Sequence, residues 1–393
     1  NTLTFAGGIK MTISKVIIAP DSFKESMSAM QAAQAIQQGM SKIFPHDTHY
    51  ELIPMADGGE GTTDALMHAL NASYVSTTVL DPLQRPIQAQ YGFSATTNTA
   101  VIEMAAASGL DLVSTTERNP LITTTYGTGQ LIKSALDQGA ERIILGIGGS
   151  ATNDGGTGML SALGVQFLDA QQQPLQAGGA DLLRLATIDL SKLDSRLAHV
   201  SFEVACDVTN PLLGSQGASV IYGPQKGANV QMVQQLDKAL AHYHNQIEVQ
   251  LNISVKDIAG AGAAGGLGTG LLAFCHTTLK KGIDVVLTET KFDTHLQGAD
   301  LVITGEGKID HQTIYGKTPI GVAQLAKKYN IPVIALSGSL DEGYEAVYQH
   351  GIDAVFNILQ QPHHLLTALK NGVLNIEKTA ENIARVITLT EKF

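Results

Sequence analysis

The chain has 393 residues, 44% of them hydrophobic and 16% charged, with a formal net charge of −11. That length allows two or three domains with a large core, and the acidic balance argues against a general nucleic-acid or anionic-membrane surface. No uninterrupted apolar stretch reaches the ~18 residues of a membrane span, and no secretory leader is visible.

Residues 1–10 read as an added remnant ahead of a natural start at Met11, and are set aside. Val16–Ala19 predicts a short strand that ends in Pro20-Asp21-Ser22-Phe23-Lys24. A helix follows from about Ser26 to Met40, capped by Ser26 or Ser28. A strand near Tyr50–Ile53, a loop around Asp57 and a helix over Thr62–Leu70 complete a β-α-β-α order, which favours a parallel sheet covered by helices. The runs Val75–Leu80, Ile87–Phe93 and Ala100–Glu103 predict antiparallel strands. Helices are expected at Gly129–Gln138 and Met159–Leu163, with strands at Ile143–Ile147 and Val165–Leu168. Val230, Val233, Leu236, Leu240 and Tyr243 recur at helical spacing. The regular alternation returns from Ile283, with strands at Leu301–Thr304, Val333–Leu336 and Ala354–Ile358. Helices are expected there at Pro319–Tyr329 and Thr379–Thr388. His363-His364 reads as an exposed loop. The rhythm at both ends predicts one α/β domain over 11–80 plus 283–393, interrupted by a mixed α/β domain over 81–282.

Cys206 and Cys275 lie far apart and make neither a disulfide framework nor a zinc site. A reducing, cytoplasmic setting is the simplest expectation. Four apolar runs end in glycines or turn residues mixed with carboxylates. They lead into Asp57-Gly58-Gly59-Glu60-Gly61, Gly148-Gly149-Ser150-Ala151-Thr152-Asn153-Asp154-Gly155-Gly156, Asp207-Val208-Thr209-Asn210-Pro211 and Gly305-Glu306-Gly307-Lys308. Glycine lets a backbone approach an oxyanion, and a neighbouring carboxylate can hold a hard cation. The pattern therefore points to a phosphorylated ligand with its metal, on the edge where loops after parallel strands gather. Lys24, Lys226, Lys308 and Lys317 lie in or beside such turns and supply local positive charge.

Spacing tests the known phosphate motifs. Gly316-Lys317-Thr318 imitates the end of a P-loop, but His311 stands where its first glycine belongs, and Gly307-Lys308 is followed by Ile309. Gly146–Ala151 fits G-x-G-x-x-A after a strand, with Asp169 at the end of the next one. A nicotinamide-dependent dehydrogenase of a small hydroxy acid is therefore a competing reading. A binding protein without catalysis is a third.

Five segments then carry a family resemblance. They are Ala19–Lys24, Met55–Thr62, Gly146–Gly156, Gly223-Pro224-Gln225-Lys226-Gly227-Ala228 and Thr304–Asp310. In that order, with Cys206–Gly214 and Gly262–Gly268, the chain resembles the bacterial type-1 glycerate kinase family from about Val16 to Val386. One departure is Glu25, where the family commonly has glycine after the first-loop lysine. The resemblance implies Mg²⁺-assisted phosphoryl transfer from ATP to a hydroxyl of D-glycerate, the 2-position favoured over the 3-position. It also implies a flavodoxin- or Rossmann-like domain, an inserted mixed domain and a site in the cleft between them. No nucleic acid or membrane partner is expected, and homo-oligomerisation stays open.

As site residues under that resemblance, Asp57, Glu60, Asp154 and Lys24 are the catalytic candidates, with Asp57 or Asp154 as proton acceptor. Asp57 and Asp207 are candidate metal ligands. Ser22, Asn153, Ser150, Asp207 and Asn210 are candidates for substrate. Gly148, Gly149, Lys226, Glu306, Lys308 and Lys317 are candidates for phosphate and nucleotide.

Overall fold

Strands form where β-branched and other apolar residues run together. In chain order they are β1 Lys15–Pro20, β2 His49–Leu52, β3 Ser73–Leu80, β4 Pro86–Ser94, β5 Thr99–Glu103, β6 Arg142–Gly146, β7 Gln166–Leu168, β8 Thr187–Asp189, β9 Ser201–Ala205, β10 Thr278–Lys280, β11 Leu301–Ile309, β12 Val333–Leu340 and β13 Ala354–Asn357. The computed structural model describes residues 13–275, 277–362 and 364–389. The expected remnant at 1–10 and His363 lie outside the described residues.

The chain divides into two compact units. One takes the chain up to Ala56 and from Leu287 onward; the other is Asp57–Val286. The expected division after residue 80 differs from this one, because β3 pairs antiparallel with β4 and so belongs to the second sheet.

In the first unit all five strands are parallel, in the order β13-β12-β11-β1-β2. The order reverses between β1 and β11, and that switch point is where an open parallel sheet leaves a crevice at its C-terminal edge. Helix Ala29–Ser41 is started by a capping box. Ser28 accepts from the Gln31 N–H while the Gln31 side chain accepts from the Ser28 N–H. Its apolar face (Ala32, Ala33, Ile36, Met40) joins Ile376, Ala380 and Ile383 of helix Gly372–Leu389 in one core with Val16, Ile18 and Ile303. β11 runs past its expected end at Thr304: Glu306 pairs with Ser337 and Lys308 with Ser339. Pairing with β12 carries this glycine-rich extension, which has no apolar pattern of its own.

The second unit holds a six-stranded sheet in the order β10-β9-β6-β5-β4-β3. β3, β4 and β5 are antiparallel neighbours, whereas β5, β6, β9 and β10 run parallel. β7 and β8 pair separately. The parallel half is almost continuously apolar, as a strand buried on both faces must be: Val101, Ile102, Ile143, Ile144, Leu145 and Val204 are fully buried. The glycine segment after Ile258 passes through a left-handed kink at Ala264, Gly265 and Gly266 into a helix that runs on to Phe274. Among the described residues no helix is long and apolar enough to cross a membrane.

Candidate active site

In the second unit the parallel strands deliver Glu103 at the end of β5, Gly146–Gly149 after β6, Cys206 and Asp207 after β9, and Lys281 and Gly282 after β10. The Asp57 loop lies on these ends, and glycines make the contact possible. A side chain at Gly146 would meet the Gly58 carbonyl oxygen at 2.5 Å, and one at Gly282 would meet the Asp57 carbonyl oxygen at 1.8 Å. Gly58 itself turns at φ 91°.

Asp57 is half-buried, and its Oδ1 accepts one long bond, 3.3 Å, from the Gly59 N–H. Glu60 is exposed. Helix Thr62–Ala69 starts from Gly61 without a side-chain cap, so neither Asp57, Glu60 nor the two threonines cap it. Glu103 reaches in from β5 instead and accepts the Thr63 N–H at 2.8 Å. Burial pushes the Glu103 carboxyl up, the Thr63 bonds oppose this, and Asp64 and Glu60 add to it. Sequence reasoning missed Glu103. The one available signal was an acid as the last residue of a strand.

Asp207 is exposed to solvent, yet the protein crowds its carboxyl. Its carboxyl is pushed up to about 7, by this desolvation first and also by the Asp57 carboxylate, against the stabilising N–H of Gly282 at 2.9 Å. Both acids adjoin Gly282, whose N–H bonds Asp207 and whose Cα packs against the Asp57 carbonyl. Asn210 is used inside its own loop: Nδ2 donates to the Gln216 carbonyl at 2.8 Å and Oδ1 accepts from the Tyr222 hydroxyl at 2.7 Å.

Asp154 is different. It is 0% exposed, and its carboxylate accepts from Thr125 N–H (2.8 Å), Thr125 Oγ1 (2.9 Å), Gly156 N–H (3.1 Å) and Gly158 N–H (3.2 Å). Burial raises its carboxyl although every one of these bonds favours the charge. The expectation that Asp154 meets substrate does not fit this geometry; it brackets the core. Asn153, also 0% exposed, donates to Ser219 Oγ at 3.0 Å, and its Oδ1 has no partner among the described residues. Lys226 is 1% exposed and donates to Ser150 Oγ (2.7 Å) and the Thr152 carbonyl (2.6 Å). Burial lowers its ammonium to about 7, and the Asp154 carboxylate resists. Lys226 thus anchors the turn from beneath, while Gly148 and Gly149 remain exposed.

In the first unit the candidates gather at the switch point. The Asp21 N–H bonds the Gly305 carbonyl at 2.8 Å, and its carboxylate accepts from Thr318 Oγ1 at 2.5 Å, at the start of helix Thr318–Lys327. Ser22 follows it, half-buried. Glu306 accepts from Thr313 Oγ1 at 2.9 Å and pairs with Lys317 at 3.4 Å. Lys308 points to solvent between Asp310 (3.2 Å) and Asp341 (2.9 Å). Lys24 is exposed, and Glu25 after it adopts φ 61°. That left-handed conformation suits glycine, which accounts for the residue expected there.

Among the described residues no three His, Cys, Asp or Glu side chains form a metal-holding group. A cavity of about 440 Å³ in the second unit, lined by Thr124, Tyr126, Thr157, Gln176 and Lys192 among others, has none of the candidate acids on its wall. The dinucleotide reading also fails locally. The helix after Gly146–Ala151 begins only at Thr157, and Asp169 is taken up by the N–H groups of Gln171 and Gln173 and by Arg184.

The glycerate kinase family profile matches residues 16–388. The chain belongs to the glycerate kinase family. It is 53% identical over 377 residues to a glycerate kinase of Bacillus subtilis (strain 168), covering 96% of this chain and 98% of the relative. It is 50% identical over 375 residues to the glycerate 2-kinase of Escherichia coli (strain K12), covering 95% and 98%. A crystal structure described as a glycerate kinase 2 from Salmonella typhimurium LT2 superposes with a TM-score of 0.87 at 49% identity, covering 97% of this chain and all of that one. Family membership makes the chain an enzyme of the kinase type, and nothing supports the dehydrogenase reading.

Proposed function

We propose that the chain transfers the terminal phosphoryl group of ATP to the 2-hydroxyl of D-glycerate, with Mg²⁺, in the cytoplasm. The observation that carries the reading is the Asp57–Asp207 pair on the C-terminal ends of the parallel strands, beside the exposed Gly148–Gly149 turn. The name of the Escherichia coli relative supports the 2-position. The free thiols of Cys206 and Cys275 suit a reducing compartment. We read the first unit as a flavodoxin-like domain, interrupted between β2 and β11 by the second unit as an inserted domain; its strand order supports this.

Phosphoryl transfer asks for positioning and charge stabilisation more than for covalent chemistry. Asp57, under-coordinated and accessible, accepts the glycerate hydroxyl proton, and Glu60 beside it helps orient that hydroxyl. Asp57 and Asp207 fit Mg²⁺, which is commonly held by one or two carboxylates together with substrate phosphates. Bound there, the ion would supply charge neutralisation on the phosphate oxygens. The Gly148–Gly149 turn, with Ser150 held by Lys226, lets backbone approach the transferred group. Ser22, Lys24, Glu306, Lys308 and Lys317 gather at the switch point of the first unit, which by itself is suited to an anionic ligand. Asn153 and Asn210 move from the substrate set, and Asp154 from the catalytic set, to the scaffold.

A coupled ATP-consumption assay over a panel of small hydroxy acids, with phosphorus NMR of the product, tests the reading. D-Glycerate should be consumed to give 2-phosphoglycerate. Binding of D-glycerate with no ATP turnover would favour a binding protein and overturn it.

A further inference from the structure

The Asp57 loop carries glycines at 58, 59 and 61, two of them at positive φ, so its own backbone does little to hold it still. Its first half rests on Ala205 and Gly282. Its second half runs into a helix that has no side-chain cap of its own. Thr62 Oγ1 bonds only locally, to the Gly59 carbonyl. This junction is tied to the sheet at Thr63, whose N–H donates to Glu103 Oε1. Glu103 is suited to the task because it closes β5, in register with Gly146 on β6, the residue against which Gly58 packs. A carboxylate at a helix start is also favoured by the helix dipole.

We propose that Glu103 is a positioning residue of the phosphoryl transfer, holding the Asp57 loop in its working geometry through the Thr63 N–H. The inference rests on the function proposed above and deepens it. Glu103 keeps its carboxylate next to Glu60 and Asp64. A third acid there is unfavourable unless its bond to the loop matters. Loss of that bond frees the loop without touching Asp57 itself.

The full chain and its E103Q and E103A variants are compared by steady-state kinetics with D-glycerate and ATP, and by amide hydrogen exchange over residues 57–66. The glutamine keeps an oxygen for the Thr63 N–H. E103Q is expected to hold kcat within about threefold, while E103A lowers kcat about 10- to 100-fold with smaller changes in both KM values, the scale of a displaced reacting group. Exchange at Thr63 should rise in E103A and not in E103Q. Full turnover in folded E103A, unchanged exchange, or an equal loss in both variants would overturn the proposal. If E103A does not unfold cooperatively, E103D, which withdraws the carboxylate by one methylene, carries the same comparison. A wild-type chain that fails to phosphorylate glycerate would refute the function while the exchange contrast still decides the clamp.

Discussion

The Asp57 and Asp154 loops look alike as sequence: each follows an apolar strand, joins glycines to an acid and precedes a helix. They are opposites in the folded chain. Asp154 is sealed in the core with four close donors, whereas Asp57 is half-buried with one long bond. Their glycines also differ in purpose. At Gly155 a side chain would strike the Tyr243 ring at 2.7 Å, so that glycine serves core packing; at Gly58 it brings backbone onto strand ends. A carboxylate saturated with donors has no capacity left for a substrate proton. The acid that can work is the one the fold leaves under-coordinated.

The strongest test of this contrast is D154A. Removing the acceptor strands several buried N–H and O–H donors, so a loss of about 3–5 kcal/mol is expected, since each buried group left unpaired costs about 1–3 kcal/mol. Chemical denaturation measures it, and a loss under ~1 kcal/mol would erase the distinction, because that is the scale of one ordinary hydrogen bond. The complementary change, D57N, should leave stability within about 0.5 kcal/mol, as for most surface-accessible substitutions. It should lower kcat by more than ~100-fold, the scale of a positioned proton-transfer group. Near-normal turnover would remove Asp57 from that role.

How much of this was legible in the sequence depended on what held each element. Helix Ala29–Ser41 and its Ser28 cap announce themselves by periodicity and by the Ser-x-x-Gln spacing. The continuation of β11 through Glu306 and Lys308 does not, because pairing to β12 sustains it rather than an apolar pattern. The glycines after Ala263 mark a left-handed kink at Ala264, Gly265 and Gly266, and the helix that runs on from it to Phe274 hides among them; Gly265 and Gly268 allow contacts that a side chain would block at 2.0 and 2.1 Å. At the site, the strand-end loops could be named in advance. Which acid would be sealed could not, since Thr125, donor of two bonds to Asp154, lies far away in the chain. Glu103 ended a strand like any polar residue, and its meaning came only with the Thr63 contact.

The smallest effect sharpens the open side of the contrast. Asp207 has its carboxyl raised from 3.8 to about 7, so across that interval the folded state holds this proton more tightly than the unfolded state. Its contribution to stability is therefore present below the unfolded value and is lost as pH rises toward about 7. Asparagine at 207 cannot titrate, so D207N should gain on the wild type as pH increases through this window, read as the difference in Tm at each pH. A difference that stays constant would contradict the raised carboxyl. Because the Asp57 charge contributes to the rise, D57N should move the wild-type slope to lower pH. A conservative change in the sealed bracket, T124V, which removes the Thr124 hydroxyl that donates to the Asp154 carboxylate at 3.4 Å, should leave the position of that slope where it is. If T124V moved it as far as D57N does, the two loops would be one electrostatic unit, and the separation between a working acid and a structural acid would fail.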